Sequence, residues 1–446
     1  MTIARHCHLL PAALATVLLA GCVHYAPLPL PTAADLKPTP QVTVLASQFQ
    51  LPGLPPHPLP AAGMDETTLV TLAVLRDPDL EAARQLAGVA QAQLFAAGLL
   101  PDPVLGATIA RSALATGYSL NLLQSLQALR LRGAAQASAR ASLRQVNLNI
   151  LWQEWQVAER ARELFIEARA DARLAVVLAR SRTLLAAAYR RDHAAVLRNN
   201  ALASTAAADL AALTAAEASQ RQEQLDASTT RHQLGELLAL TPGTRLHLTG
   251  PTRWPPFPAA RYRAAIAALP RRRPDLMALQ AGYESQEQNL REAILAQFPA
   301  LAVNAGPTRD PIEARSSIGL GVSLTLPLFN RNRGGIAVQT ATRAVLRATY
   351  QARWDQAQGD AGQAWAAARI LQRQLDQLAT RVPALQAAAR AGAAGFRQGN
   401  VSAALYVTLE SSSLEAQLQA IRLRAALATD ESSLRTLLGL PFRPPG

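Results

Sequence analysis

Histidines, cysteines and acid pairs are where chemistry would sit in this chain, and their spacing gives almost none. The histidines are His6, His8, His24, His57, His193, His232 and His247. No His-Glu-x-x-His pair and no cysteine–histidine cluster occurs, so no metal ligands are assigned. Asp192 beside His193 is an acid–imidazole neighbour, but adjacent positions on a helix point apart. There is no Gly-x-Ser-x-Gly elbow, and the only lysine, Lys37, has no phosphate-binding loop around it. The chain is read as a non-enzyme without cofactor. Covalent chemistry is written at one place. Behind Arg5, the apolar run Leu9 to Ala20 ends in Leu19-Ala20-Gly21-Cys22, the pattern of a bacterial lipobox. Cys22 is then the lipidation site and first mature residue, carrying a diacylglycerol thioether and an amide-linked chain such as palmitate. More than one acyl chain suffices for stable anchoring. A plain secretory signal with an incidental cysteine is the competing reading.

The charge of +13 and pI near 10.9 raise a nucleic-acid partner. The arginines, however, are scattered singly, and Arg271 to Arg273 is the one tight run. No basic stripe with interleaved aromatics is present, so a nucleic-acid partner is not assigned. Beyond the signal, no apolar run approaches the eighteen or so residues of a membrane-spanning helix. If the exported protein crosses a bilayer, it does so as strands of a closed barrel.

The order of segments is repetitive. After a signal (1–21) and a proline-rich leader (22–64) come a first repeat (65–242), a linker (243–270), a second repeat (271–440) and a tail (441–446). Arg76-Asp77-Pro78-Asp79-Leu80 in one half answers to Arg272-Arg273-Pro274-Asp275-Leu276 in the other. Each half runs on as helix to a proline, Pro101 or Pro299, then shows two strand-like stretches: Val104 to Ala110 and Gly117 to Leu122, or Leu301 to Gly306 and Ile318 to Leu326. A long helical stretch follows in each, with Asp192-His193 and Gly399-Asn400 as midway soft spots. Each is expected to fold as a hairpin with arms of about 50 to 60 residues, about 80 Å long. Leu174, Val177, Leu178, Leu184 and Leu185 recur at the spacing of coiled-coil-like packing. The fold class is mainly α with a small β part.

Two halves of helix, two strands and a long hairpin resemble the TolC-like outer-membrane efflux channels. Three junctions carry the likeness: Phe298-Pro-Ala-Leu301, Leu324-Thr-Leu-Pro-Leu-Phe-Asn-Arg-Asn-Arg-Gly-Gly335, and Gln398-Gly-Asn-Val401 with Leu414-Glu-Ala-Gln417 downstream. The resemblance, over about residues 65 to 440, implies a homotrimer. Its helical hairpins form a periplasmic α-barrel, and each chain contributes four strands to a shared transmembrane β-barrel in outer-membrane lipid. It further implies that hairpin tips, at Asp192 and His193 and at Gly399, Asn400 and Val401, meet a periplasmic membrane-fusion adaptor and through it an inner-membrane pump, commonly of the resistance–nodulation–division type. Glu410, on the helix after the second tip, is a candidate for the periplasmic aperture; a solvated helix face is the alternative. Two departures stand out: the first strand pair lacks an aromatic girdle, and Asp192-His193 stands where the other tip has Gly399-Asn400. The function implied is a passive exit duct, lipid-anchored in the outer membrane. The alternative is a coiled-coil envelope lipoprotein without a pore, which leaves the duplicated strands unexplained.

Overall fold

A computed structural model describes residues 25–36, 63–111, 116–252, 254–310 and 315–440. Residues 25–36 belong to a unit of their own, exposed and without helix or strand. The second unit, which begins at Lys37, holds all the regular structure among the described residues. Its elements run α1 (Glu66–Arg76), α2 (Pro78–Gly98), β1 (Val104–Arg111), β2 (Thr116–Ser125), α3 (Gln127–Leu197), α4 (Ala203–Leu237), α5 (Ala259–Arg272), α6 (Pro274–Leu295), β3 (Ala300–Arg309), β4 (Ser316–Thr325), α7 (Arg333–Arg397) and α8 (Ala403–Leu437).

The duplication holds element by element and corrects one boundary. Residues 243–270 are not all linker, because α5 begins at Ala259 and is the counterpart of α1. Both short helices plug a long helix near its middle. Leu69, Leu72 and Ala73 of α1 are buried with Trp155, Leu164 and Phe165 of α3 and with Leu234 and Leu238 at the end of α4. Ala265 of α5 is buried with Ala361 of α7 and with Leu434 and Leu438 at the end of α8. Proline opens the next helix in each half. Asp77 caps α2 by accepting from the Leu80 N–H at 2.8 Å, ahead of Pro78. At the equivalent place Arg273 precedes Pro274 and cannot cap. Its guanidinium, 1% exposed, instead turns inward. There it pairs with Asp275 at 2.7 Å, donates to the Leu437 carbonyl at 3.3 Å and lies over the Trp152 ring.

The hairpin arms are unequal, against the expectation of matched arms. α3 has 71 residues and α7 has 65, whereas α4 and α8 have 35 each. At 1.5 Å per residue that is about 100 Å against about 50 Å. α3 starts two residues past the end of β2, because alanine, leucine, arginine and glutamine fill its first turns and Gly133 is absorbed in its second turn, whereas residues 326–332 separate β4 from α7. All four arms end alike. Asn199, Ala239, Gly399 and Gly439 take left-handed φ. The amide after each reaches back to the helix, as Asn200 to Ala195 and Asn400 to Gly395, both at 2.8 Å.

The strands form one antiparallel sheet in the order β1-β2-β3-β4. Leu105 faces Leu122, Leu122 faces Ala305 and Ala305 faces Leu320. Gly306 lies so close to β2 that an added Cβ would overlap the Leu120 carbonyl.

The two repeats meet in a buried polar cluster. Glu159 of α3 accepts from Arg162 at 2.7 Å and from Ser433 and Thr436 of α8 at 2.9 and 2.7 Å. Glu66, at the start of α1 and 2% exposed, lies 3.9 Å from Arg162, and neither carboxylate oxygen has a hydrogen bond. Burial raises its pKa from 4.5 to about 7, with Arg162 opposing and Glu159 and Asp65 adding to the rise. A raised folded-state pKa adds stability that is fully present below 4.5 and is lost as pH climbs through about 7. Its size is on the order of 3 kcal/mol. The thermal midpoint in detergent should therefore be higher at pH 5 than at pH 8, and Glu66→Gln should shrink that gap by raising the pH 8 value. An unchanged gap would remove Glu66 as its source. Gly306→Val should break the β2–β3 pairing, read as loss of amide protection along Leu120 to Leu122.

Candidate functional site

The register divides the sheet into two faces of opposite character. On one lie Leu105, Ala107, Ile109, Tyr118, Leu120, Leu122, Leu301, Val303, Ile318, Leu320, Val322 and Leu324. On the other lie Gly106, Thr108, Ser119, Asn121, Asn304, Gly306, Thr308, Gly319, Gly321 and Ser323. Strand side chains alternate, so the period-two pattern of the sequence becomes this division once the register is set. The apolar face is bare in a single chain, with Leu320 84% exposed. The division has exceptions: Arg111 and Arg309 fall on the apolar face at the strand ends away from the helices, and Val104 and Leu123 fall on the polar face, which holds no charged residue in the described strands. β1 and β4 each have one neighbour, so the sheet has two unpaired edges.

At the far end of the hairpins the first turn is not where Asp192 and His193 were expected to put it. Both lie inside α3, and the chain reverses over Arg198 to Leu202. Asn199, with φ 59°, does what Gly399 does with φ 77° in the second turn, since asparagine tolerates the left-handed region. Aligning the two repeats, Arg198-Asn199-Asn200 against Gln398-Gly399-Asn400, was the signal that would have located it. Gly399, Asn400 and Val401 do form the second turn. There Phe396 of α7 stacks on Tyr406 of α8, with ring centroids 5.1 Å apart.

Asp192 has a different part. Arg191 grips its carboxylate at 2.6 and 2.9 Å and holds its pKa below the usual range. Asp209 of α4 faces it, and burial together with the Asp192 carboxylate raises the Asp209 pKa. His193 packs its ring against Tyr189 at 5.4 Å. Glu410 is half-buried on α8 and pairs with Arg180 of α3 at 3.6 Å, which ties the two hairpins together. Arg182 and Glu217, at 3.5 Å, tie α3 to α4. Cys22 lies outside the described residues. Among the described residues, no group of three or more histidine, cysteine or acidic side chains can hold a metal ion. No described helix is long and apolar enough to cross a membrane.

Residues 265–440 match the family model described as outer membrane efflux protein. No curated protein sequence matches the chain. The fold is similar to that of the MtrE outer membrane channel of Neisseria gonorrhoeae, with 16% identity, a TM-score of 0.70, and coverage of 93% of this chain and 98% of that one. It is similar also to the CmeC outer membrane channel of Campylobacter jejuni, at 14% identity and a TM-score of 0.69 over 94% and 95% of the two chains. VceC of Vibrio cholerae, an outer membrane protein, matches at 16% identity and a TM-score of 0.68 over 85% and 97%. Residues 265–440 thus carry the outer membrane efflux protein domain, and the chain as a whole has the fold of solved outer-membrane channels.

Proposed function

We propose that this protein is the passive exit duct of a tripartite efflux system. It would be anchored through lipid on Cys22 and assembled as a homotrimer, with its hairpin tips against a periplasmic adaptor and, through it, an inner-membrane pump of the resistance–nodulation–division type. The observation that carries the reading is the two-faced sheet with two unpaired edges. In lipid, an unpaired backbone edge costs several kcal/mol per group, so such a sheet must be closed by other strands. Copies of the same chain supply them: β4 of one protomer pairs with β1 of the next. Eight strands enclose an interior that side chains fill. The glycines, serines and threonines of the polar face are too small to fill one. Three copies give twelve strands and leave room for a water-filled lumen.

No acid–base pair, nucleophile or metal group is needed for such a role. The pump supplies the energy and most of the selectivity, and the duct supplies a wall. A non-channel coiled-coil lipoprotein would share the long helices but has no use for an amphipathic sheet. Glu410 stays the candidate for the aperture, with the Arg180 pairing as the contact that would have to yield when the tips part.

Electron microscopy of the detergent-extracted protein should show a three-fold tube about 100 Å or more in length with a short barrel at one end. A monomeric rod would overturn the reading. Leu320→Arg places a charge on the lipid face at a cost of about 2–4 kcal/mol near the bilayer midplane. It should abolish the heat-resistant oligomer and the bilayer conductance, whereas Ser323→Arg on the opposite face should leave the oligomer and alter conductance. At the tips, Gly399→Val and Asn199→Val should each uncouple export while the trimer persists, and Asn199→Gly should be tolerated. In-cell photo-crosslinking from position 199 should capture a periplasmic adaptor, and capture of nothing would remove this turn from the docking surface.

A further inference from the structure

We propose that the rim where the sheet meets the helices is a binding surface for anionic phospholipid headgroups, with Arg132, Arg331 and Arg333 as its phosphate contacts. The inference rests on the reading that the sheet lies in the outer membrane, and it names the lipid class that this rim would select there.

Four junctions make the rim: residues 95–103, 126–133, 294–299 and 326–333. They hold one acidic residue, Asp102, against four arginines. Arg130 is spent internally, donating to the Leu295 carbonyl at 2.7 Å and lying over the Phe298 ring. The other three have no carboxylate partner among the described residues. Arg132 opens on a cavity of about 410 Å³ between α2 and α3, walled by Phe95 and Leu99. Arg331 holds a left-handed φ of 45° and is followed by Asn332 at 51°, whose side-chain amide is fixed to the Ala293 carbonyl at 2.8 Å.

The apolar partners of these arginines argue for lipid. Phe329 is 92% exposed. The alternate apolar positions of β4 run on past its end as Leu326 and Leu328, so the rim continues the lipid-facing surface without a break. A guanidinium fork matches a phosphodiester, and its aliphatic stem can lie along acyl chains beneath the headgroup. Aromatic and basic side chains interleaved at one level are what a membrane–water interface accommodates.

The test uses the full chain, reconstituted with an equimolar mixture of phosphatidylglycerol and phosphatidylcholine, with the lipid retained on the protein read by native mass spectrometry. Each arginine near an anionic surface contributes roughly a fivefold preference, so wild-type protein should retain phosphatidylglycerol at least about tenfold over phosphatidylcholine. The triple variant R132Q/R331Q/R333Q should bring the ratio close to one with conductance intact. If that variant fails to assemble, the single variant Arg333→Gln, at the exposed first turn of α7, should still lower the ratio severalfold. Equal retention by the wild type, or an undiminished preference in the variants, would overturn the proposal. Insertion into bilayers without lipid preference removes this inference alone. Failure to insert at all removes the outer-membrane reading, and this inference with it.

Discussion

Along β1 and β4, the N–H and C=O groups that point away from the sheet have no partner in a single chain. Water can satisfy such groups and hydrocarbon cannot, and the apolar face of the same strands selects hydrocarbon. One copy of the chain cannot meet both demands, and the proposed assembly of several copies would. Much of the remaining structure follows from meeting them at once. The strands come in pairs because a hairpin costs little loop. The pairs come twice because each is fed and drained by helices of its own half. The two halves sit side by side so that β2 and β3 close the gap between repeats.

The halves are held in that relation at a second place, far from the strands. Glu159 gathers Arg162 from its own helix and hydroxyls from α8, and Arg273 reaches from α6 to the end of α8 and to the Trp152 ring. Both are buried charges with several donors or acceptors around them, the condition under which a buried ion is tolerated. Both span the repeat boundary. Glu66 is the exception, a carboxyl beside the cluster without a hydrogen bond of its own.

The sequence made some of this legible and hid the rest for identifiable reasons. Alternation over Ile318 to Leu324 was enough to place a two-faced strand, because the face is decided by parity alone. The duplicated Arg-x-Pro-Asp-Leu stretches marked equivalent points of the two halves, and the proline of each is the first residue of α2 and of α6. The first hairpin turn was misplaced because Asp192-His193 looks polar and abrupt, whereas the real reversal is made by Asn199, which needs no glycine. The α5 helix was hidden by Pro258 just before it and Pro270 inside its last turn, which read as linker. Arm lengths were blurred because alanine-rich helices carry no internal mark of where a partner helix ends. The inward turn of Arg273 had no sequence signal, since one arginine in a run of three does not declare itself buried.

The unequal arms have a consequence for how such a wall can change size. α3 is accompanied by α4 along the half nearer the turn and by α2 and α6 along the half nearer the sheet, while its own backbone is continuous through both. A residue inserted in α3 alone would therefore rotate every contact on one side of it by about 100° relative to the other. Only whole heptads, added together to a long arm and to the shorter helix beside it, keep the seams in phase. The length of this wall is thus quantised in steps of about 10 Å, and a shift in one partner has to be answered in the other before the turns and the sheet again stand at the right distance apart.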